Sequence, residues 1–425
     1  MLIAAALAAG ESRVANALAS ADLERTRAIL QTAGAVMEEC ANGEWTVRGM
    51  AGGPQGGQPE APADCFVSES GTTCRLLTAV LAAGHGTFRI HGAERMHERP
   101  IGALTDALSS LGAGIAFERK ENFPPMLIHG RGLRGGSIDL RIDESSQYLS
   151  GLLLAAPFCA EDLTITLAGS KAVSWPYVGL TLQAMEDFGI DFSVEQLHGS
   201  SWEAVAWRSL TSVKPGELRI TVQPGKYRAG SYRVEGDWSG ASYLLAAGAV
   251  GREPVLVTGL RADSLQGDSV MLDLLRAMGA SVEVREDGIL VSPSRLHGID
   301  VDMGDCPDLV PTIAMTAAFA EGVTHIRNIA HLRIKECDRL SACATELARI
   351  GVKTEETEDS LTIYGLGPDK PALPEGTVFQ TYNDHRMAMS CSLLGLATGQ
   401  AVTVDKPSVV RKSFPEFWDV WSALL

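Results

Sequence analysis

The sequence is poor in basic charge, in long apolar runs and in paired cysteines. Its 36 lysines and arginines stand against 52 aspartates and glutamates, which leaves a net charge of −16 and none of the basic surface that nucleic acids or anionic membranes attract. No apolar run reaches the roughly 20 residues of a membrane-spanning helix. The eight cysteines form no CxxC pair and have no histidines at zinc spacing, a pattern typical of reduced, mostly buried thiols in a cytosol. We therefore expect a cytoplasmic protein that binds neither nucleic acid nor membrane and holds no metal.

What the sequence does contain is one pattern repeated six times. An apolar stretch is followed by a short β-branched strand and, in five copies, by an amphipathic helix that ends at a glycine. The apolar stretches are Leu2–Gly10, Cys74–Gly84, Tyr148–Pro157, Ala241–Gly251, Val310–Gly322 and Met387–Gly399. The terminating glycines are Gly34, Gly112, Gly189, Gly279 and Gly351. Because helices that are apolar on all sides are normally buried and amphipathic ones cover the outside, the pattern predicts an α/β fold closed around pooled apolar helices.

The spacing of the repeats predicts two domains. The apolar stretches follow one another at similar intervals, except that a longer, glycine-rich join separates the third from the fourth. We place the domain junction near residues 230–236, which gives an N-terminal domain of residues 1–232 and a C-terminal domain of residues 233–425, with three repeats each. Copies two to six carry a strand-rich segment before the apolar helix, whereas copy one starts with the helix at Met1, so we expect a truncated N-terminus.

Short polar segments stand immediately before the apolar helices. They read SESGTTCR at 68–75, DESSQ at 143–147, DWSGAS at 237–242, DCPD at 305–308 and YNDHR at 382–386. Serine, threonine, aspartate and asparagine are ordinary N-cap residues. The same positions also direct free backbone N–H groups and the positive end of the helix towards any nearby anion. For a single residue both interpretations stay open, and convergence of several such helix ends would favour an anion site.

Basic residues stand beside these segments in an otherwise acidic chain. They are Arg75, Arg99, Arg339, Arg386 and Lys412. Any one of them could be a surface charge, but arginine also binds carboxylate and phosphate through two parallel hydrogen bonds. As a group they indicate a site for ligands with several negative charges. Asp308 and Glu336 are acidic partners, which nearby cations would keep ionised unless burial raises their pKa into the range of a general acid.

Seven longer motifs contain or adjoin these segments: GTTCRLL, RMHERPIGALTDALSSLGA, SSQYLSGLLLAAP, VSWPYVGLTL, VEGDWSGASYLLAA, RIKECDRL and YNDHRMAM. Taken together, these motifs resemble the enolpyruvylshikimate-phosphate synthase family, the 3-phosphoshikimate 1-carboxyvinyltransferases. The resemblance implies two pseudo-threefold domains of repeated βαβαββ units, an inside-out α/β barrel, which close over substrates in the cleft between them. It also implies a monomeric transferase of the shikimate pathway, which supplies chorismate and the aromatic amino acids.

The resemblance further implies which residues bind the two substrates. Phosphoenolpyruvate would be bound by Arg99, Arg339, Arg386 and Lys412, with Gly71 and Gln147 nearby. Shikimate 3-phosphate would be held by Ser145, Ser146, Gln147, Ser174, Tyr177, Asp308 and Lys335. Arg75 would organise the site.

The implied reaction adds the shikimate 5-hydroxyl to the enol carbon of phosphoenolpyruvate, forms a tetrahedral ketal and then expels phosphate. Asp308 is the candidate base at the hydroxyl. Glu336 and Lys412 are the candidates for protonating and later deprotonating the methyl carbon, and the allocation among these three residues stays open. The resemblance implies no cofactor and no metal, because an arginine and lysine cluster can stabilise the charge of the departing phosphate.

The chain departs from the family pattern at its start, where a Lys-Ser-x-Ser-x-Arg segment is missing. Losing two or three charge-assisted contacts, each worth about 1.5–3 kcal/mol, would weaken binding or turnover by orders of magnitude. A catalytically impaired, anion-binding relative is therefore the alternative to an active enzyme. A sister transferase acting on UDP-N-acetylglucosamine is disfavoured, because RMHERP lacks the cysteine proton donor expected before the Arg-Pro pair. An RNA 3′-phosphate cyclase is disfavoured by the acidic balance and by the absence of its histidine signature.

Overall fold

The protein consists of two compact units. The computed structural model describes residues 1–40, 43–210, 212–261, 263–367, 373–374 and 376–424. The units comprise Met1–Val234 and Glu235–Leu425, and each has its own core of buried apolar side chains.

The N-terminal unit alternates helices and short strands in three successive groups. The first is α1 (Leu2–Leu7), β1 (Glu11–Ala15), α2 (Ala21–Thr32), β2 (Val36–Glu39) and β3 (Trp45–Arg48). The second is β4 (Ala63–Phe66), α3 (Gly71–Ala82), β5 (His85–His91), α4 (Gly102–Ser110), β6 (Gly114–Phe117) and β7 (Met126–Arg131). The third is β8 (Gly136–Arg141), α5 (Gln147–Ala155), β9 (Leu163–Ala168), α6 (Trp175–Asp187), β10 (Phe192–His198), β11 (Ser201–Ala204) and β12 (Leu218–Val222), followed by β13 (Ser231–Arg233).

The C-terminal unit repeats the same alternation. Its first group is α7 (Trp238–Val250), β14 (Val255–Val257), α8 (Met271–Ala277), β15 (Ser281–Val284) and β16 (Ile289–Ser292). The second is β17 (Asp300–Asp302), α9 (Val310–Ala317), β18 (Glu321–Arg327), α10 (Arg339–Arg349), β19 (Lys353–Glu356) and β20 (Leu361–Leu366). The third is β21 (Val378–Phe379), α11 (His385–Thr398), β22 (Thr403–Val404) and α12 (Phe417–Ser422).

Each complete group folds as one βαβαββ unit with its own sheet. The strand before the apolar helix pairs in parallel with the strand after it, as β4 does with β5 and β17 does with β18. The last two strands of the group then add antiparallel, which gives the orders β4-β5-β7-β6 and β17-β18-β20-β19. A parallel pair needs a crossover connection, and the apolar helix supplies it. The prediction of an α/β fold built from repeated βαβαββ units is confirmed.

In the sheet of the first group, the parallel strand comes from a distant part of the chain. β13 pairs in parallel with β1, and the sheet has the order β13-β1-β3-β2. In the C-terminal unit, β14, β16 and β15 form a three-stranded sheet, and β21 with β22 forms a two-stranded one. The repeat in the sequence therefore does not translate into six identical sheets.

Glycine ends the amphipathic helices as predicted. The backbone φ angles are +113° at Gly34, +104° at Gly112, +73° at Gly189, +92° at Gly279 and +79° at Gly351. These values lie in the region that a residue with a Cβ rarely adopts. Each glycine therefore lets the chain leave the helix and turn into the next strand.

The two kinds of helix differ in burial as the sequence predicted. Every residue of α9 is buried, and α5 buries all residues except Gln147 at its start. The amphipathic α2 buries only Ile29 and Leu30. The apolar helices thus lie inside each unit, and the polar residues at their N-terminal ends are brought close together.

The cysteines are unpaired, and the lengths of the helices bear on whether any could span a membrane. All eight cysteines are free thiols, of which six are buried, Cys337 is half-buried and Cys40 is exposed. Within the part of the chain that the structure describes, no helix is both long and apolar enough to cross a bilayer.

Candidate active site: helix ends and a buried charge cluster

In the N-terminal unit, Arg99 lies against the first turn of α3. Ser70 caps this helix by accepting a hydrogen bond from the Thr73 amide at 3.2 Å, which confirms the capping interpretation for this residue. The Nη1 of Arg99 donates to the Glu69 carbonyl at 3.3 Å. A Cβ added to Gly71 would lie 2.6 Å from Arg99 Nη2, so only glycine allows the guanidinium to approach the helix so closely.

Gln147 connects the N-terminal ends of α3 and α5. Its Oε1 accepts a hydrogen bond from Arg75 Nη1 at 3.0 Å, and its Nε2 donates to Thr72 Oγ1 at 2.8 Å. Arg75 is buried and lies over the ring of Tyr148, 5.6 Å from its centre. These contacts bring the GTTCR and SSQ motifs together, so two of the helix ends singled out in the sequence converge.

The predicted serines lie at the N-terminal ends of two helices, Ser145 and Ser146 before α5 and Ser174 before α6. Ser145 and Ser146 are buried, and Ser145 Oγ accepts from the Gln147 amide at 3.3 Å. Ser174 immediately precedes α6 and has a left-handed backbone with φ +55°, a conformation that costs energy in a residue other than glycine. The Tyr177 amide donates to the Ser174 carbonyl at 3.2 Å.

Asp143, which sequence reasoning did not single out, fixes the loop that leads to Ser174. Its Oδ1 accepts from the Ser170 amide at 2.6 Å, from Ser170 Oγ at 2.7 Å and from the Lys171 amide at 3.2 Å. Burial alone would raise the pKa of Asp143, but the hydrogen bonds from Ser170, supported by Arg141, lower it to about 2. An aspartate two residues before a known motif gives no such signal in the sequence, because its partners lie 27 and 28 residues further along the chain.

The depressed pKa of Asp143 predicts a pH-dependent contribution to stability. The contribution is present above the unfolded-state pKa of about 4 and is lost as the pH falls towards about 2. We expect Asp143→Asn to lower the free energy of unfolding by about 1–2 kcal/mol at pH 7 and by about half as much near pH 3, midway between the folded and unfolded pKa values. Urea unfolding of both proteins at the two pH values tests this. An equal difference at both would show that the charge of the carboxylate does not stabilise the loop.

In the C-terminal unit, the buried Arg339 lies at the centre of a charge cluster. Its side chain is 2% exposed and contacts three carboxylates. Nη1 donates to Asp308 Oδ1 at 2.9 Å, Nη2 donates to Glu336 Oε2 at 2.8 Å, and Nε donates to Asp384 Oδ2 at 2.7 Å. Arg339 begins α10, Asp308 lies just before α9 and Asp384 caps α11, so this one guanidinium joins three helix ends.

Asp308 is shared between Arg339 and Arg386. Arg386 Nη2 donates to Asp308 Oδ2 at 2.9 Å, and Nη1 lies 3.5 Å from the Tyr243 hydroxyl. The Nε of Arg386 is buried and makes no hydrogen bond to any residue that the structure describes. Burial alone would raise the pKa of Asp308, but the neighbouring cations, Arg386 first, hold it well below its usual range.

Glu336 and Lys412 form the other edge of the cluster. Lys412 Nζ donates to Glu336 Oε1 at 2.5 Å, and both side chains are largely buried. Lys335 is half-buried, and its charge is one of those that lower the pKa of Asp308. The six residues that the resemblance assigned to this half of the chain, Asp308, Lys335, Glu336, Arg339, Arg386 and Lys412, are thus drawn together within one unit.

Several acidic residues at these helix ends do act as N-caps. Asp237 accepts from the Gly240 amide at 2.8 Å, and Asp384 accepts from the Arg386 amide at 2.8 Å. Asp384 also binds Arg339, so capping and membership of the charge cluster are not alternatives for this residue. Sequence reasoning missed it as a functional candidate because the capping role alone accounts for an aspartate at that position.

Asp268 is a second acidic residue that the sequence did not single out. It is 2% exposed and accepts a hydrogen bond from Ser239 Oγ in the first turn of α7. Burial, together with the charge of Asp308, raises its pKa to about 7. Asp308, Glu336 and Asp384 are engaged by cations and Asp268 by a hydroxyl, and among the described residues no group of three His, Cys, Asp or Glu side chains is placed to hold a metal ion.

The chain is similar to proteins of one family along almost its entire length. The family model "EPSP synthase (3-phosphoshikimate 1-carboxyvinyltransferase)" matches residues 1–203 and 211–421. A 3-phosphoshikimate 1-carboxyvinyltransferase of Marinomonas sp. is 39% identical over 100% of this chain and 93% of its own length. The protein of the same name from Shewanella amazonensis is 40% identical over 100% of this chain and 92% of its own.

Solved structures agree with this similarity. An EPSP synthase from Acinetobacter baumannii is 26% identical, with a TM-score of 0.77 over 100% of this chain and 92% of that one. The enolpyruvyl transferase NikO from Streptomyces tendae, at 19% identity and a TM-score of 0.72, shares the fold. Nothing in these similarities supports the alternative of an impaired relative. The family match, the full-length relatives and the fold together show that this chain belongs to the EPSP synthase family of enzymes, the 3-phosphoshikimate 1-carboxyvinyltransferases.

Proposed function

We propose that this chain transfers the enolpyruvyl group of phosphoenolpyruvate to the 5-hydroxyl of shikimate 3-phosphate and releases phosphate. The observation that carries the proposal is the cluster of the C-terminal unit, in which Arg339, Arg386 and Lys412 share two carboxylates, Asp308 and Glu336. The cations suit a ligand with a carboxylate and a phosphate, and the carboxylates suit proton transfer beside it.

Phosphoenolpyruvate would be bound by Arg386, Arg339 and Lys412, and the resemblance adds Arg99. Arg386 keeps a buried Nε without a hydrogen bond to the described residues, which gives it a donor for an incoming anion. Guanidinium groups that are already oriented by carboxylates need little reorganisation when phosphate charge develops on the leaving group. The cluster can therefore stabilise phosphate departure.

Asp308 is proposed as the base that accepts the proton of the attacking hydroxyl. Its pKa is held far below the usual range by Arg386 and other cations, so Asp308 is ionised but weakly basic. A substrate phosphate that binds Arg386 would neutralise part of that positive charge and raise the pKa of Asp308. The basicity of Asp308 would then increase when the substrate binds.

Glu336 and Lys412 are proposed as the pair that transfers a proton to and from the methylene carbon of the enol. During addition a proton goes to this carbon while the hydroxyl oxygen bonds to the neighbouring enol carbon. During elimination the methyl group gives a proton back as the bond to phosphate breaks. Glu336 Oε1 and Lys412 Nζ lie 2.5 Å apart, so either can supply the proton and the other can balance the charge.

Shikimate 3-phosphate would be held by residues of the N-terminal unit, namely Ser145, Ser146, Gln147, Ser174 and Tyr177, together with Lys335 and Asp308 as the resemblance implies. The start of α5 carries Ser145, Ser146 and Gln147 side by side, and a helix N-terminus with hydroxyls suits a phosphate. The positively charged Arg75, bonded to Gln147 at 3.0 Å, supports that arrangement. A cytosolic location and a monomeric state remain predictions, the former supported by eight free thiols.

Phosphate release in the presence of both substrates tests the proposed function. We expect one phosphate per enolpyruvyl product when phosphoenolpyruvate and shikimate 3-phosphate are supplied together, and only background release with either one alone. Product identity is checked by NMR of the new vinyl protons. Release that requires UDP-N-acetylglucosamine in place of shikimate 3-phosphate, or no release above background, would contradict the proposal.

A further inference from the structure

The turn that precedes α11 has an unfavourable backbone. Thr381–Asp384 closes with a hydrogen bond from the Asp384 amide to the Thr381 carbonyl at 2.7 Å. Its two central residues, Tyr382 and Asn383, have φ angles of +53° and +57°. Two successive left-handed residues define a type I′ turn, which usually requires glycine, asparagine or aspartate. Tyrosine at its first central position is held there by its surroundings at a conformational cost.

A fully buried glutamate on α10 keeps Tyr382 in this conformation. Glu346 is 0% exposed, and its Oε1 accepts from the Tyr382 hydroxyl at 2.7 Å. Its Oε2 accepts from the Gln380 amide at 3.2 Å. Burial, reinforced by this hydrogen bond, raises the pKa of Tyr382, so the hydroxyl keeps its proton and remains the donor.

The same helix holds the other end of the turn. Arg339 and Glu346 are seven residues apart, which places them on one face of α10. Arg339 binds Asp384, the last residue of the turn, while Glu346 binds Tyr382 within it. Asp384 in turn accepts from the Arg386 amide at 2.8 Å. The backbone that leads to Arg386 is therefore held from α10 at two points of the turn, Tyr382 and Asp384.

We propose that Glu346 is a positioning residue, which acts through Tyr382 to fix the turn Thr381–Asp384 and thereby to hold the Arg386 guanidinium where an anionic substrate meets it. Among the described residues, the hydrogen-bond partners of the Glu346 carboxylate are Gln380, Tyr382 and Arg349, and none of these is a proposed substrate ligand. The inference rests on the proposed function for the identity of the substrate, but not for the geometry of the turn.

Steady-state kinetics of Tyr382→Phe and Glu346→Gln test the inference. We expect each change to raise the KM for phosphoenolpyruvate by about tenfold or more, because small misplacements of a binding group are costly, while the KM for shikimate 3-phosphate stays within about twofold. The double variant should resemble either single one, because the two residues act through one contact. A folded Tyr382→Phe enzyme with unchanged KM for phosphoenolpyruvate, or with both KM values raised equally, would overturn the inference.

Two further variants separate positioning from folding. Tyr382→Gly accepts the left-handed turn at low cost but loses the hydroxyl and the ring that packs against the core, so we expect a folded but less stable protein with the same raised KM. Glu356→Gln is the matched control, since Glu356 accepts from Ser341 on the exposed side of α10 at 3.0 Å, and it should behave like the parent. A Tyr382→Gly enzyme with the parent's KM would show that the tyrosine serves folding alone.

Hydrogen exchange distinguishes failure of this inference from failure of the proposed function. The amides of Asp384 and Arg386 should exchange faster in Glu346→Gln than in the parent, whatever the parent catalyses. If the parent releases no phosphate but this acceleration is seen, the proposed function fails and the positioning role stands. If exchange at these amides is unchanged, the positioning role fails.

Discussion

Replacing Arg339 by methionine is expected to lower the free energy of unfolding by about 3–5 kcal/mol, because one partner of a buried charge network is removed while the others remain. Methionine keeps the apolar stem, so the change mainly deletes charge. Asp384 is then the most affected carboxylate, since it is 0% exposed and loses Arg339 at 2.7 Å. Urea unfolding at pH 7 measures the effect.

Two further variants serve as controls for the Arg339→Met prediction. Arg327→Ala removes an arginine that is 49% exposed and paired with Asp300, and it should change stability by less than about 1 kcal/mol. Asp384→Asn introduced into Arg339→Met should restore part of the loss, because a neutral amide needs no counter-charge. If Arg339→Met unfolds at the same urea concentration as the parent, the cluster does not contribute to stability in the way its geometry indicates.

Replacing Arg386 by alanine is expected to raise the KM for phosphoenolpyruvate by at least roughly 100-fold, because two charge-assisted hydrogen bonds to the substrate would be lost. Arg386→Lys keeps the charge but loses the planar fork, so it should recover only part of the binding. The KM is measured at saturating shikimate 3-phosphate, with product formation followed as phosphate release.

Arg411, the residue before Lys412, offers a matched control for Arg386. It is exposed in the short helix that carries Lys412, and Arg411→Ala should leave the KM for phosphoenolpyruvate within about twofold of the parent. Far-ultraviolet circular dichroism confirms that each variant is folded. An Arg386→Ala enzyme that is folded and binds phosphoenolpyruvate as the parent does would remove Arg386 from the substrate site.

Local features of the fold could be predicted because they depend on neighbours in the sequence. Gly34 and Gly279 end amphipathic helices through their own backbone freedom, and their φ angles of +113° and +92° agree with that role. The apolar α9 is buried along its whole length, as its composition indicated. The parallel pairing of β13 with β1 was not predictable, since it joins strands from opposite ends of the N-terminal unit.

Some residues of the candidate site could likewise be predicted from the sequence, and others could not. Arg386 and Lys412 were singled out because basic groups beside helix entries are unusual in an acidic chain. Asp384 was passed over because it also serves as an ordinary cap, and Glu346 because nothing near it in the sequence marks it. Their decisive partners, Arg339 and Tyr382, lie 45 and 36 residues away, a distance over which sequence spacing carries no information about contact.

The sequence by itself determined the repeat, the burial of the apolar helices and the residues that identify the family, because these depend on composition and short-range order. Only the tertiary structure decided which carboxylate meets which cation and what holds the turn before α11. Those contacts arise when helices distant in the chain pack with their N-terminal ends together, and the energy of a buried charge depends on the neighbours that this packing supplies.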